Sequence, residues 1–191
     1  KMVNLLCKAN PNVMEQLGLN PEHYLYIHPI GQVLLNNSKL FLSKRAVYSF
    51  AGYAKEQLKK LDNKSSRSFG EDYTGIGRRN RYVAAHNKLG KHMAHLIRLY
   101  YMCFDILENQ KIITYRDKEH DLLMSIRNGE YLDKNQQPIS SFYDLLSELE
   151  KRLEYDEKNT SLPETPDYQR INEFRMFVNE KIVTGKIEKE N

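Results

Sequence analysis

The sequence KHMAHLIRL at residues 91–99 decides the fold that we expect, because its polar and apolar residues follow the period of an α-helix. At 3.6 residues per turn, Lys91, His95 and Arg98 share one face of that helix. Its apolar ridges are formed by Leu89, Met93, Leu96, Ile97, Tyr100 and Phe104. The polar face carries no carboxylate before Asp105. We therefore expect a helix from about residue 81 to residue 108, with a polar face that could meet an anion.

A plainer interpretation of this face stays open. Lysine and arginine on an exposed helix are usually solvated, and a single histidine is more often a structural group than a ligand. Clusters of charge mark functional sites in only a part of the cases. The spacing alone therefore does not choose between a solvated stripe and an anion site.

The basic residues are concentrated in the middle of the chain. Residues 39–101 carry 14 Lys and Arg against 4 Asp and Glu, whereas residues 102–191 carry 13 against 19. Residues 1–38 are balanced, with 2 of each sign. A basic segment of this kind indicates a polyanionic partner, which is either a nucleic acid or the phosphates of a nucleotide.

The chain of 191 residues is long enough for one well-formed core. No apolar run could span a bilayer and no signal-peptide pattern is present, so we expect a cytoplasmic protein without a membrane partner. Cys7 and Cys103 lie among apolar residues and are expected to be buried thiols. We expect no metal site, since His92 and His95 lack a third ligand at suitable spacing. The chain starts at Lys1 inside what reads as an amphipathic helix, so we expect that a further N-terminal part precedes it.

Several helix signals lie in the first third of the chain. Asn10-Pro11 predicts a helix start, with Asn10 as the cap and Pro11 at the first helical position, and Gly18 predicts a stop. A short helix is expected over residues 30–36. Ser43 is expected to cap a long helix that runs to about residue 61. The serine- and glycine-rich residues that follow, 62–80, are expected to form a basic flap.

The last third of the chain is also mainly helical. Residues 111–115 are the one strand candidate, although no partner strand is visible in the sequence. Three helices are expected, from Asp117 to Asn128-Gly129, from Ser140 or Ser141 to about Tyr155, and from Thr165-Pro166-Asp167 to about Val183. We therefore predict a mainly α fold, a helical bundle with at most one or two short strands.

Four ordered segments carry a resemblance to a known family. They are KANPN at residues 8–12 with Glu15 and Leu17, FLSK at 41–44 with FAGYA at 50–54 and Gln57-Leu58, the stretch at 91–99, and Leu122-Leu123 with IRNGE at 126–130. The chain from about Leu5 to Tyr131 resembles the predicted nucleotidyltransferases of the DNA polymerase beta superfamily, of the RNA-repair-associated type found in bacteria and large phages.

This resemblance implies transfer of a nucleotide from a nucleoside triphosphate to an acceptor, an RNA end being one candidate. It also implies Mg²⁺ ions held by carboxylates on a small sheet, because two divalent ions must bridge the triphosphate and the attacking oxygen. In that superfamily the sheet carries a Gly-Ser turn and an Asp-x-Asp pair, and this chain has neither. We therefore expect the helical, C-terminal part of an α+β nucleotidyltransferase, which binds no cofactor and is inactive alone.

The missing catalytic residues are expected upstream of Lys1, on a sheet domain that acts in cis or in trans. The resemblance places the following side chains opposite that sheet, facing the triphosphate or the base: Lys44, Tyr53, Gln57, Lys91, His95 and Arg98. Arg127 either orients a loop at the same cleft or only caps its helix. Residues 1–135 would then form the region that binds nucleotide or nucleic acid, and residues 136–191 a C-terminal helical extension.

Two competing functions remain. Arg81 and His86 have the Arg-x4-His spacing of HEPN-like metal-independent ribonucleases, in which the two side chains would polarise a phosphate and move protons. That spacing is common, and His86 could simply pack in an alanine-rich turn. The other alternative is a non-enzymatic helical module that binds RNA or a protein through the basic segment at residues 39–101.

Overall fold

A central helix, Leu89–Asn109, organises the computed structural model, which describes residues 1–54, 89–135 and 137–185. The helices, numbered in chain order, are α1 (Met2–Cys7), α2 (Pro11–Met14), α3 (Pro29–Asn36), α4 (Leu89–Asn109), α5 (His120–Asn128), α6 (Ser140–Asn159) and α7 (Tyr168–Thr184). Short 3₁₀ turns occupy Glu15–Leu17, Pro21–His23 and Ser38–Phe41, and a π-helical turn occupies Val47–Ala51. The predicted mainly α fold is confirmed.

The apolar ridges of α4 form the centre of the core. Met93, Leu96, Ile97 and Phe104 are at most 1% exposed, as the period of the sequence predicts, and Leu89 is partly buried. With these ridges α4 packs against α5, α6 and the π-helical turn. A buried Leu or Phe side chain stabilises a fold by about 1.5–3 kcal/mol, so this one helix supplies much of the driving force.

The last two helices close the core from the other side. On α6, the Arg152 guanidinium lies 4.2 Å from the centre of the Phe104 ring and its Nη2 contacts Glu108 Oε1 at 2.5 Å. On α7, Phe174 meets Phe41 edge to face, with ring centres 6.4 Å apart. Helices from both sides of the predicted boundary at residues 135 and 136 thus share one core, and the division into two regions stays a prediction.

Several predicted helix ends are confirmed. α2 starts at Pro11 after Asn10 in an extended conformation, although the Asn10 side chain makes no cap hydrogen bond. α7 follows Asp167, whose Oδ1 accepts from Arg170 N at 3.0 Å. α5 ends at Gly129 with a left-handed φ of 95°, a conformation that favours glycine. Local sequence chemistry therefore sets these boundaries.

Two predicted helix starts are wrong. Ser43 does not cap a helix, because its buried Oγ has no hydrogen-bond partner among the described residues and the helical backbone starts at Arg45. Asp117 does not cap α5, which begins at His120; the contact between them is a long backbone hydrogen bond of 3.4 Å from His120 N to Asp117 O. The predicted end near residue 61 lies outside the described residues.

The strand predicted at residues 111–115 is also wrong. The segment makes no ladder; instead Thr114 Oγ1 donates to Gly18 O at 2.8 Å, and a Cβ added to Gly18 would overlap the Ile112 carbonyl. Within the part of the chain that the structure describes, β-type pairing is limited to one bridge between Leu132 and Pro138. The described helices include none with the length and apolar character needed to cross a membrane.

Candidate functional site

A groove of about 380 Å³ lies between α4, α5 and the segment that joins them, and we call it the α4/α5 groove. It is lined by Lys91, Ala94, His95, Arg98, Tyr115, Arg116, Asp117, His120, Leu123, Met124 and Arg127. Basic side chains outnumber the single carboxylate on its walls. The groove is therefore suited to an anionic ligand.

Two elements bring the predicted residues into this groove. Lys91, His95 and Arg98 come from one face of α4, where their spacing of four and three residues places them in a row. Arg127 comes from the last turn of α5, on the opposite wall. Four of the predicted site residues thus line a single cavity.

Gly90 allows α4 and α5 to approach closely at the end of the groove. A Cβ at this position would lie 2.6 Å from Arg127 O and 2.7 Å from Ile126 O. Both obstacles are backbone atoms of the last turn of α5, so they cannot rotate away. The absence of a side chain at Gly90 therefore determines how near Lys91 comes to Arg127.

The charges of the groove are partly neutralised inside the protein. Arg98 Nη2 lies 2.5 Å from Glu15 Oε1, and both side chains are about three-quarters buried. Arg116, which is 8% exposed, pairs with Asp105 and Glu119. These ion pairs hold the two guanidinium groups in place while lowering their net attraction for a ligand.

The two remaining cations of the groove are Lys91 and Arg127. Neither forms an ion pair with any described carboxylate, and both are exposed. They lie on opposite walls. The charge that is available to an incoming anion therefore comes from these two side chains.

His95 is a neutral member of the row. Burial, followed by the positive charges of Arg98, His92 and Lys91, lowers its pKa to about 4, so the imidazole is uncharged near pH 7. Its ring meets that of Tyr53 edge to face, with centres 6.1 Å apart. A neutral imidazole has one N–H donor, which can bond to an anion without adding charge.

The other predicted site residues are placed differently. Tyr53 reaches the groove only through its contact with His95. Lys44 is not among the lining residues, and its Nζ lies 2.7 Å from Glu164 Oε1. Gln57 lies outside the described residues, as do Arg81, His86 and the predicted flap at 62–80.

Sequence reasoning missed the contribution of the segment between α4 and α5. Tyr115, Arg116 and His120 line the groove, although residues 111–115 were expected to form a strand and Asp117 to begin a helix. The sequence did not predict that Arg116 lines the groove. Its position relative to α4 depends on an ion pair with Asp105, eleven residues earlier in the chain, which no local pattern indicates. The one sequence signal for this contribution was the basic residue Arg116 directly before the predicted helix start at Asp117.

The described residues do not fit the metal site that the resemblance implies. No cluster of three or more His, Cys, Asp or Glu side chains suitable for a metal ion occurs within residues 1–54, 89–135 and 137–185. The groove itself has one lining carboxylate, Asp117. We therefore derive no metal-dependent step from this groove.

Comparison with known protein families matches residues 1–177 to the family described as RlaP, RNA repair pathway DNA polymerase beta family. Comparison with curated proteins gives no significant match, and neither does comparison with solved structures. The matched segment contains every residue that lines the α4/α5 groove. On this evidence the chain belongs to the RNA repair pathway DNA polymerase beta family.

Proposed function

We propose that the α4/α5 groove binds the phosphates of a nucleoside triphosphate, and that the chain is the helical portion of a nucleotidyltransferase acting on an acceptor such as an RNA end. The observation that carries this proposal is the meeting of Lys91, His95, Arg98 and Arg127 around one cavity. Family membership supports the same class of function, because a polymerase beta-type protein handles nucleotides.

The size and charge of the groove suit this ligand. Its volume of about 380 Å³ lies within the range of roughly 300–1,000 Å³ that is usual for small-molecule sites. Lys91 and Arg127 would contact phosphate oxygens from opposite walls, and neutral His95 would donate one hydrogen bond between them. Arg98, held by Glu15, would fix the orientation of the ligand.

In this role the chain binds and orients the triphosphate. The carboxylates that hold Mg²⁺ in such enzymes would come from residues outside the described part of the chain or from a partner, and the nucleotide and the acceptor are not assigned. The partner sheet and the Mg²⁺ requirement are thus part of the proposal.

Isothermal titration calorimetry of the full chain with tripolyphosphate, and with each of the four nucleoside triphosphates, tests the groove. Loss of one charge-assisted hydrogen bond costs about 1.5–3 kcal/mol, so Lys91→Ala and Arg127→Ala should each weaken binding about ten- to hundred-fold. Tripolyphosphate isolates the phosphate contacts from those of the base.

Lys151→Ala is the matched control, because Lys151 is exposed on α6 and does not line the groove. It should leave the affinity within a factor of two. Equal affinities for the original chain and both groove variants would contradict the proposal and identify the row on α4 as a solvated surface.

A further inference from the structure

A second and larger groove lies on another side of the chain, between α1, α7 and the residues that follow Ser43. Its volume is about 490 Å³, and we call it the α1/α7 groove. It is lined by Val3, Asn4, Cys7, Lys8, Arg45, Tyr168, Ile171, Asn172 and Arg175. No carboxylate is among these residues, although α7 itself carries acidic side chains elsewhere.

Three cations from three different elements meet at this groove. Lys8 follows α1, Arg45 begins the helical segment before the π-helical turn, and Arg175 lies on α7. None of the three pairs with a carboxylate within the described ranges. Like charges that converge without a counter-charge repel one another, and an anionic partner would remove that cost.

Some cations elsewhere in the described chain are neutralised by carboxylates. Lys44, Arg98, Arg116 and Arg152 all have carboxylate partners within reach. The distinguishing property of the α1/α7 groove is that three unpaired cations from different elements line one cavity that has no carboxylate on its walls.

Arg45, one of the three cations of the α1/α7 groove, makes two long contacts within the protein. Arg45 is partly buried, its Nη1 donates to Cys7 O at 3.5 Å, and its guanidinium lies 6.0 Å from the centre of the Tyr168 ring. A guanidinium that rests on an aromatic ring keeps most of its donors free for oxygen atoms. Asn4 and Asn172 add neutral donors to the same walls.

Lys8 also joins this groove to a third cavity, of about 390 Å³, which contains two tyrosines. Tyr48 is 69% exposed and Tyr53 is 36% exposed, so both rings are open to a flat ligand. Ser49 Oγ donates to Lys8 O at 2.6 Å and ties the lysine backbone to the π-helical turn. Tyr53 in turn contacts His95 of the α4/α5 groove.

The cations of the α1/α7 groove thus adjoin two exposed tyrosine rings through Lys8, and Tyr53 connects this surface to His95 of the α4/α5 groove. This combination is typical of proteins that bind single-stranded nucleic acid, in which a basic groove follows the phosphates while bases stack on aromatic side chains. An acidic peptide would use the cations but would leave the two tyrosines without a role.

We propose that the α1/α7 groove binds the phosphate backbone of a single-stranded RNA, whose bases stack on Tyr48 and Tyr53. Lys8, Arg45 and Arg175 each contact phosphate oxygens, and Asn4 and Asn172 donate to phosphate or ribose oxygens. This site is separate from the triphosphate groove and does not depend on the function proposed for it.

Fluorescence anisotropy with a labelled single-stranded 12-mer RNA tests the site on the full chain. Lys8→Gln with Arg175→Gln should weaken binding at least ten-fold. It should also reduce the slope of log affinity against log salt concentration by about 1.4, since each phosphate contact to a single strand contributes about 0.7. Lys151→Gln with Arg170→Gln is the matched control, because it removes one exposed lysine from α6 and one exposed arginine from α7.

The control pair should change the affinity by less than two-fold. An equal loss in both pairs would overturn the proposal in favour of unspecific attraction to positive charge. Unchanged affinity in the groove pair would overturn it as well. Tripolyphosphate titrations of the groove pair should stay within two-fold of the original chain, so that a failure of this site and a failure of the triphosphate groove give different results.

Tyr48→Ala tests the stacking contacts separately. It should weaken binding of the 12-mer about five-fold or more, and it should not weaken binding of an abasic 12-mer of the same charge. Equal losses for the two probes would overturn the stacking arrangement. Binding of a poly-glutamate peptide as tightly as the RNA would overturn the choice of a nucleic acid.

Discussion

The α4/α5 groove and the α1/α7 groove are both lined by cations, but two of the four Lys and Arg side chains in the first groove are paired with carboxylates, whereas none of the three in the second is paired with a described carboxylate. Arg98 and Arg116 are paired with Glu15 and Asp105 beside the α4/α5 groove. The three cations of the α1/α7 groove have no carboxylate partner among the described residues. A count of basic residues alone would not reveal this difference.

This difference in pairing separates two kinds of recognition. Paired guanidinium groups have fixed positions, so they select for the shape of a ligand more than for its charge. Unpaired cations attract any polyanion, and their contribution falls steeply with salt. The difference is consistent with the compact ligand that we propose for the α4/α5 groove and with the repetitive one that we propose for the α1/α7 groove.

The largest expected effect comes from Gly90→Ala, which should damage the α4/α5 groove and leave the α1/α7 groove intact. Gly90→Ala would place a methyl group against two backbone carbonyls of α5, and we expect it to lower the free energy of unfolding by about 3 kcal/mol. Chemical denaturation measures this loss. Tripolyphosphate binding should weaken in the folded variant, while RNA binding at the α1/α7 groove should persist.

Gly52→Ala is the control for this glycine substitution. Gly52 has helical φ and ψ angles, and no described atom lies within 4 Å of a Cβ added there. The change should stabilise the chain by about 0.5–1 kcal/mol, because alanine is the better helix former. A loss at Gly90 no larger than the change at Gly52 would show that α4 and α5 do not need their close contact.

An intermediate effect concerns the neutral histidine of the α4/α5 groove. The pKa of His95 is about 4 in the folded chain and about 6.5 when unfolded, so the unfolded chain binds more protons between these values. Stability contributed by this residue is therefore lost as the pH falls from about 6.5 to about 4. The difference between the two pKa values corresponds to about 3 kcal/mol, and we expect a loss of about 2 kcal/mol because solvent screens the partly buried ring. His95→Gln should remove this part of the pH dependence.

Unfolding free energies of the two chains at several pH values between 4 and 7 provide the measurement. The difference between the two chains is the useful quantity, because Asp156 also makes the stability depend on pH, with the opposite sign to His95. Burial, together with Glu108, raises the pKa of Asp156 to about 6. Its contribution cancels when the original chain and His95→Gln are compared. Parallel pH profiles would mean that His95 is not buried in neutral form.

The smallest effect comes from Glu15→Gln, which should make the α4/α5 groove resemble the α1/α7 groove by leaving one more cation unpaired. Glu15→Gln removes the partner of Arg98 and frees a cation at the α4/α5 groove. We expect a loss of about 1 kcal/mol in stability and a gain of roughly three-fold in tripolyphosphate affinity, which calorimetry can resolve.

Glu22→Gln makes the same change in net charge at an exposed carboxylate that is not part of the groove. It should leave the affinity unchanged. An equal gain in both variants would assign the effect to overall charge, and no gain in either would show that Arg98 does not face the ligand.

Local patterns in the sequence were enough to predict much of the fold. The period of residues 91–99 predicted the buried ridges of α4, and Asn10-Pro11, Gly129 and Asp167 predicted helix ends that the structure confirms. These signals succeed because capping and hydrophobic periodicity act over a few residues. The same period placed Lys91, His95 and Arg98 in one row.

The errors come from interactions between distant segments. Lys44 N donates to Pro163 O at 2.9 Å, a contact from the far end of the chain that displaces the helix start expected at Ser43. The residues expected to form a strand pack on Gly18 instead. Neither contact leaves a trace in the sequence near the residues that it affects.

The α1/α7 groove was missed for the same reason. Arg175 is more than a hundred residues from Lys8 and Arg45 along the chain, and Lys8 and Arg175 lie outside the basic segment at residues 39–101. Only the folded chain brings them together. Local composition therefore reveals an excess of charge but not the surface on which it acts.

The π-helical turn Val47–Ala51 marks a place where the helical backbone accommodates an additional residue. Such a turn accommodates one residue more than an α-helical turn would. Deleting a single residue there would restore a regular helix and leave the residues on either side in their present orientation, because the wide turn absorbs the extra residue. Tyr53 would then keep its contact with His95, so the extra residue widens the turn that carries Tyr48 and Ser49 without changing the direction of the residues that follow it.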